Sequence, residues 1–419
     1  MRLLAAGYWL LAAGYWLPAV GPLYGQASPA IGGDPGSELT ITLLTYEQGG
    51  RIYERYGHNA IWVHDALSGT DDHYDYGRFN FEEEGFVRKF LQGRMWYSMG
   101  HESNVQGMID LYVSQGRKVW MQELNIPPAE RLKMRDFLAW NIRPENRNYA
   151  YDYYRDNCST RIRDVLDTAL GGALRRLGDH PSGLTWRDET RRLNQHNPVL
   201  YTMLLTVLGQ PVDVEMSRWQ QMFLPMRLRE YLDSLSVTGP DGVAQPVVRS
   251  ERVISEGGAW PAPAQASNRL LWYLVAGLAA GGVMALAGRG RAFLPVATLW
   301  TLLVGLLGAF MLWAWIWSWH VAGYRNENLF QLNLFALALA LVLPSALRGK
   351  SWAAGPARWL SGAVVVLGVL GLVLKVLPGF RQHNLEVIAL LLPVHGAVWL
   401  GVRRRLDRLV EGPSGPKPA

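Results

Sequence analysis

The stretch Tyr151-Asp-Tyr-Tyr-Arg-Asp-Asn-Cys158-Ser-Thr-Arg161-Ile-Arg-Asp-Val-Leu166 changes character at its middle, from a polar, aromatic run to an amphipathic one. Ile162, Val165, Leu166, Ala169 and Leu170 recur at helical spacing, so a helix is expected to begin at or just before Cys158. Peptide dipoles and unpaired backbone N–H groups at such an end favour a thiolate. A buried, inert thiol is the commoner fate of free cysteines. The neighbours Asp156, Asn157, Ser159, Thr160 and Arg161 make a polar setting that a core position would not choose, which favours a nucleophile instead. Cys158 is the one cysteine of the chain, so no disulfide framework exists and nothing can mispair in an oxidising compartment.

A thiolate nucleophile needs a base. His58 is the best placed of nine histidines, in Tyr56-Gly-His-Asn-Ala-Ile-Trp-Val63, where Gly57 allows close backbone approach and a buried strand follows. A strand-borne histidine facing a helix-terminal cysteine is the papain-like way to build a Cys/His pair. His73 and Asp75, in Asp71-Asp-His-Tyr-Asp-Tyr-Gly-Arg-Phe79, are two apart on the next strand and share one face. Either is a candidate to fix the imidazole, and an ordinary polar strand face is the alternative. His58, His73 and Asp75 lack the close i, i+4 spacing of metal ligands, so no metal is expected. Glycine-rich phosphate motifs are absent and no cofactor is implied.

The 419 residues are 49% hydrophobic and only 18% charged, against about 25% in soluble proteins. Disorder is excluded, and the charge deficit points to a polar domain averaged with a membrane region. The net charge of +6 shows no basic stripe with interleaved aromatics, so nucleic acid is not an expected partner. Residues 1–27 read as a signal peptide or amino-terminal anchor, with Arg2 ahead of an apolar run and small residues near Ala27. Residues 28–238 read as a soluble α+β domain carrying the Cys/His site, with strands expected at Leu39 to Tyr46, Ala60 to His64 and Val119 to Leu124. Residues 239–268, rich in Gly, Pro, Ala and Ser, read as a linker.

Five apolar runs follow within 269–402, at about 269–288, 293–318, 329–347, 359–377 and 384–402, and form an expected all-α bundle of transmembrane helices. With the domain exported, Arg289 and Arg291, then Arg348, Lys350 and Arg358, and the basic tail 403–419 all fall in the cytoplasm, as the positive-inside distribution requires. The loops holding His320, Asn326 and Asn328, and then His383, share the side of the domain. They are read either as substrate contacts or as plain interfacial caps. The segment Ser217 to Leu235 reads as core in preference to a helix lying on the leaflet.

Together, Tyr56-Gly-His58, Asp75-Tyr-Gly-Arg-Phe79, Asp156-Asn-Cys158-Ser-Thr-Arg161, Met222-Phe-Leu-Pro225 and the loop from His320 to Leu329 resemble a bacterial family first described as a domain of unknown function, DUF4105, and now associated with Lnb, the Bacteroides-type lipoprotein N-acyltransferase. The resemblance implies an α+β papain-like periplasmic domain, permuted so that His precedes Cys, followed by a membrane bundle in the bacterial inner membrane. It implies that Cys158 takes an acyl chain as a thioester, with His58 as base and Asp75 slightly favoured over His73 as third member; the donor is read as a membrane phospholipid, with the lipoprotein's own glyceride as the open alternative. The acceptor implied is the amino-terminal diacylglyceryl-cysteine of a lipoprotein. Asn157, Arg161, His320, Asn326, Asn328 and His383 are the residues expected to bind substrate, the last four at the headgroups. A cysteine peptidase or peptidoglycan amidase, and a non-enzymatic membrane receptor or scaffold, are the competing classes.

Overall fold

The computed structural model describes residues 33–238 and 242–411. The expected signal or anchor at 1–27 lies outside the described residues, as do positions 412–419 of the expected tail.

Seven strands form one antiparallel sheet: β1 (Leu39–Tyr46), β2 (His58–Asp65), β3 (Thr70–Arg78), β4 (Trp96–Glu102), β5 (Val119–Leu124), β6 (Asn148–Ala150) and β7 (Val248–Ser255), in the order β7-β5-β1-β2-β3-β4-β6. Period-two alternation gives each face its own core. Leu39, Ile41 and Leu43 of β1 join Ile61, Val63, Tyr74 and Tyr76 on one face. Leu44 and Tyr46 join Ala60 on the other, under helix α1 (Val105–Ser114). The first face is covered by α2 (Pro128–Asn141), α3 (Cys158–Ala169) and, beyond α4 (Trp186–Asn194) and α5 (Pro198–Val207), by α6 (Pro225–Asp233). Met222, Phe223, Leu228 and Leu232 are fully buried, so the segment 217–235 is core.

The expected linker needs correction. Residues 244–246 pair with 236–238, and β7 pairs with β5, so the chain leaves the sheet only after Ser255. β7 is an edge strand bearing Arg249, Glu251 and Arg252, and its exposed, charged character hid it among loop-like residues.

Five long apolar helices follow: α7 (Leu270–Ala287), α8 (Phe293–Trp317), α9 (Leu334–Leu347), α10 (Ser351–Val373) and α11 (Leu385–Glu411), each long and apolar enough, α9 together with the turn before it, to cross a membrane. Two boundaries differ from expectation. Arg358 lies inside α10 and pairs with Asp407 at 2.7 Å, and residues 403–411 continue α11 and are no tail.

The domain grips the bundle at the carboxy end of α5. The last carbonyls of a helix have no intrahelical partner. Here Asn328 Nδ2 donates to Leu205 and Thr206, Asn326 Nδ2 to Thr206 and Val207, and Gln382 Nε2 to Leu208, all at 2.9–3.0 Å. Both loops on the domain's side therefore cap a helix of the amino-terminal domain. The Gly209 N–H adds a bond to Ala322 O at 2.8 Å, and Arg191 pairs with Glu386 at 2.8 Å.

Candidate active site

His58 opens β2 directly after Gly57, whose φ of +82° suits a residue without Cβ. Its Nε2 lies 3.1 Å from Asp75 Oδ2 on β3. The other Asp75 oxygen accepts from Arg78 Nε at 2.7 Å, and Arg78 Nη1 reaches Glu102 at 2.6 Å. Asp75 is 4% exposed, and burial raises its pKa while His58 and Arg78 lower it further, down to about 2. The carboxylate is therefore ionised throughout the physiological range. Burial pushes the His58 imidazole down, but Tyr112, Cys158 and Asp75 outweigh it and hold His58 well above the usual histidine value.

Cys158 begins α3, on the opposite face of the sheet from His58 and Asp75, and meets the imidazole at the sheet's end. The meeting depends on Gly77, which sits at a break in the β3–β4 register with φ of +96°. A Cβ there would stand 3.4 Å from the Cys158 Cβ and 4.0 Å from the Tyr149 hydroxyl and a Tyr151 ring carbon. The thiol is half-buried.

Asn157, expected at the substrate, has its side-chain amide committed to backbone. Its Oδ1 accepts the Ser159 and Thr160 N–H groups at 2.9 Å and its Nδ2 donates to Tyr153 O and Phe223 O at 3.0 Å, so it is the N-cap of α3. Among the described residues the Cys158 N–H has no acceptor, which leaves it as the helix-end donor beside the thiol. Arg161 is also committed: it holds Asp156 through both carboxylate oxygens and stacks 4.2 Å over Tyr149.

Tyr149, which sequence reasoning missed, is 5% exposed, and its hydroxyl has no partner among the described residues. Burial, Cys158 and Asp156 all raise its pKa, so it is a protonated donor without an acceptor. An unmade buried hydrogen bond costs about 1–3 kcal/mol, and this one lies near the Cys158 side chain. No local spacing in the sequence joins Tyr149 to Cys158. Arg78 had a legible signal, three residues after Asp75.

His73 shares the face of Asp75 but faces Tyr46, with Nε2 3.1 Å from the hydroxyl. It is fully buried, and burial lowers its pKa to about 4. A histidine kept neutral by the fold leaves stability intact above the unfolded value near 6.5 and removes it as pH falls toward 4. The loss reaches about 3 kcal/mol at 1.36 kcal/mol per unit. Unfolding of the full chain in detergent should show that loss between pH 6.5 and 4, and His73→Gln should flatten it; an unchanged slope would refute the assignment.

Of the membrane-loop residues, Asn326 and Asn328 are buried, with their side-chain amides donating to the end of α5. His383 is half-exposed, 3.6 Å from Asp213, in a cleft of about 830 Å³ with Lys375 and Arg381 and away from Cys158. His320 does approach the site: its Nε2 lies 2.6 Å from Phe90 O and its ring stacks on Tyr153, which meets Tyr151 edge-on.

Residues 34–192 match the family model described as the Lnb N-terminal periplasmic domain. No curated protein and no solved structure matches the chain. The matched segment runs from just before β1 into α4 and contains His58, Asp75, Tyr149 and Cys158. With five apolar helices following that domain, the chain fits a multi-pass membrane protein whose residues 34–192 are similar to the Lnb N-terminal periplasmic domain.

Proposed function

We propose that this protein is a thiol-dependent lipoprotein N-acyltransferase of the bacterial inner membrane, with its catalytic domain in the periplasm and its carboxy terminus in the cytoplasm. The observation that carries the reading is Cys158 at a helix start against the His58–Asp75 pair, in a domain whose helix α5 is capped by the membrane loops. Strand-borne histidine ahead of helix-start cysteine supports a permuted papain-like domain. The Arg residues of the loops and helix ends away from the domain support the orientation.

Cys158 attacks an ester carbonyl of a membrane phospholipid after His58 has taken its proton. The C–S bond forms, the C–O bond breaks, and the departing alkoxide takes the proton from the His58 imidazolium. The α-amine of a diacylglyceryl-cysteine then attacks the thioester, the C–S bond breaks, and the amine's proton passes through His58 back to the sulfur. The Cys158 N–H and the Tyr149 hydroxyl are the donors for the oxyanion of both steps. Asp75 fixes the imidazole, and Arg78 fixes Asp75.

Intact-protein mass spectrometry of the full chain in phosphatidylethanolamine nanodiscs tests this. An acyl adduct on Cys158, chased by a diacylated lipopeptide and absent in Cys158→Ser, is expected. Hydrolysis of cell-wall peptides with no acyl-enzyme would establish the peptidase instead. Tyr149→Phe should slow acylation about 10²-fold, the typical cost of losing one oxyanion donor, while iodoacetamide still alkylates Cys158 at the wild-type rate. Acylation within threefold of wild type would remove Tyr149 from the site.

A further inference from the structure

The turn and short helix over 79–91 carry large apolar side chains that the fold does not bury. Phe81 is 60% exposed, Val87 68% and Phe90 40%. Beside them Tyr53 is half-exposed, and its ring meets Phe79 edge-on at 5.5 Å. Isolated exposed apolar residues need no explanation, but a contiguous group of this kind marks an interaction surface.

Its position selects the partner. The helix Phe86–Leu91 is stitched to the end of the membrane-spanning helix α8. Trp319 N donates to Gln92 O at 2.8 Å, His320 Nε2 lies 2.6 Å from Phe90 O, and Arg94 stacks 4.9 Å over Trp319. A Cβ on Gly93 would come within 2.8 Å of the Trp319–His320 backbone, so the two segments are in direct contact. Since α8 ends at Trp317 with an indole 71% exposed, the interface between hydrocarbon and headgroups runs at this level. The exposed apolar group is continuous with the membrane region. Glu83 of the preceding acidic turn is paired with Lys89, which suits the headgroup layer.

The group also leads inward. Phe79 stacks on Tyr97 at 5.0 Å, Tyr97 on Tyr151 at 4.2 Å, and Tyr151 borders the point where Gly77 meets Cys158. Phe79 follows Gly77 and Arg78 in the chain, so the aromatic floor begins two residues from the break that admits the thiol.

We infer that residues 79–91 form an arm that dips into the outer leaflet, and that an acyl chain passes from the bilayer to Cys158 along the floor of Phe79, Tyr97 and Tyr151. The second half rests on the acyltransfer reading and gives it a route: the chain stays against aromatic surface and its CH₂ groups are spared exposure to water.

The arm is tested in the full chain with Cys158→Ala as background. Val87→Cys and Leu67→Cys, the latter at the β2–β3 turn, each carry a bimane label in phosphatidylethanolamine vesicles containing chain-brominated lipid. At least threefold stronger quenching at 87 than at 67 supports the arm, and equal quenching overturns it. With Cys158 restored, Phe81→Ser combined with Phe90→Ser should slow acylation from vesicle phospholipid at least tenfold and leave acetylation by soluble p-nitrophenyl acetate unchanged. Equal slowing of both donors, or of neither, overturns the route. Wild-type protein that takes no acyl group from either donor counts against the transferase reading alone, and the quenching contrast still decides the arm.

Discussion

Asp75→Asn is expected to lower acyl-enzyme formation by about 10³–10⁴-fold in a protein that still folds, the size of effect seen when a triad carboxylate becomes an amide. The geometry gives the amide no choice. Arg78 Nε sits 2.7 Å from one Asp75 oxygen and can only donate, so the asparagine carbonyl must stay there and its NH₂ must face His58 Nε2. Nε2 is then an acceptor, the proton moves to Nδ1, and the imidazole presents N–H to Cys158 where it should present a lone pair. The pH dependence separates this from a general loss of fold. Removing the carboxylate removes an upward pull on the His58 pKa, so the imidazolium is lost at lower pH and the alkaline limb of the rate profile moves toward acid. Stopped-flow acylation across pH 5–10 checks both parts. A variant within tenfold of wild type, with an unmoved alkaline limb, would show that Asp75 does not set the tautomer.

That site was legible only in part. The polar surroundings of Cys158, the helical spacing after it and the glycine before His58 are local patterns, and the spacing of two between His73 and Asp75 placed both on one face. Which of the two meets His58 is a matter of register: Ala60 pairs with Asp75, and Trp62 with His73, so His73 stands one step further along the strand and turns to Tyr46. Tyr149 reaches the thiol only because β6 is the last strand of the sheet and α3 folds back beneath it, which no spacing encodes. The membrane loops misled for a related reason. Asn and Gln look alike whether they hold a ligand or finish a helix, and the helix they finish, α5, lies more than a hundred residues away. The five spans, by contrast, depend on composition over about twenty residues, and that needs no tertiary knowledge.

The seam between domain and bundle carries the second large expected effect. Arg187 and Asp213 are both fully buried, joined by two bonds of 2.6 and 2.9 Å, and Arg187 Nη2 also donates to Leu208 O and Gly209 O. Leu208 O receives Gln382 from the membrane loop as well, and the Gly209 N–H is bonded to Ala322. One buried cation therefore holds the piece of backbone on which both membrane loops converge. Arg187→Met should destabilise the full chain by about 3–5 kcal/mol, because the buried Asp213 carboxylate keeps only the half-exposed His383 imidazole, 3.6 Å away, in place of its two guanidinium bonds. Arg187→Met combined with Asp213→Leu should recover most of that, since the loss comes from the stranded carboxylate more than from the pair's own attraction. Denaturation in detergent reads the stability. Limited proteolysis reads the seam, with new cleavage expected at 208–213 in the single variant. The functional consequence follows from the same contacts: with the seam loosened, acylation from bilayer phospholipid should fall more steeply than iodoacetamide alkylation of Cys158, because the thiol keeps its own surroundings while losing its fixed distance to the membrane. A single variant that costs under 1 kcal/mol, or one that slows both reactions equally, would refute this role for the pair.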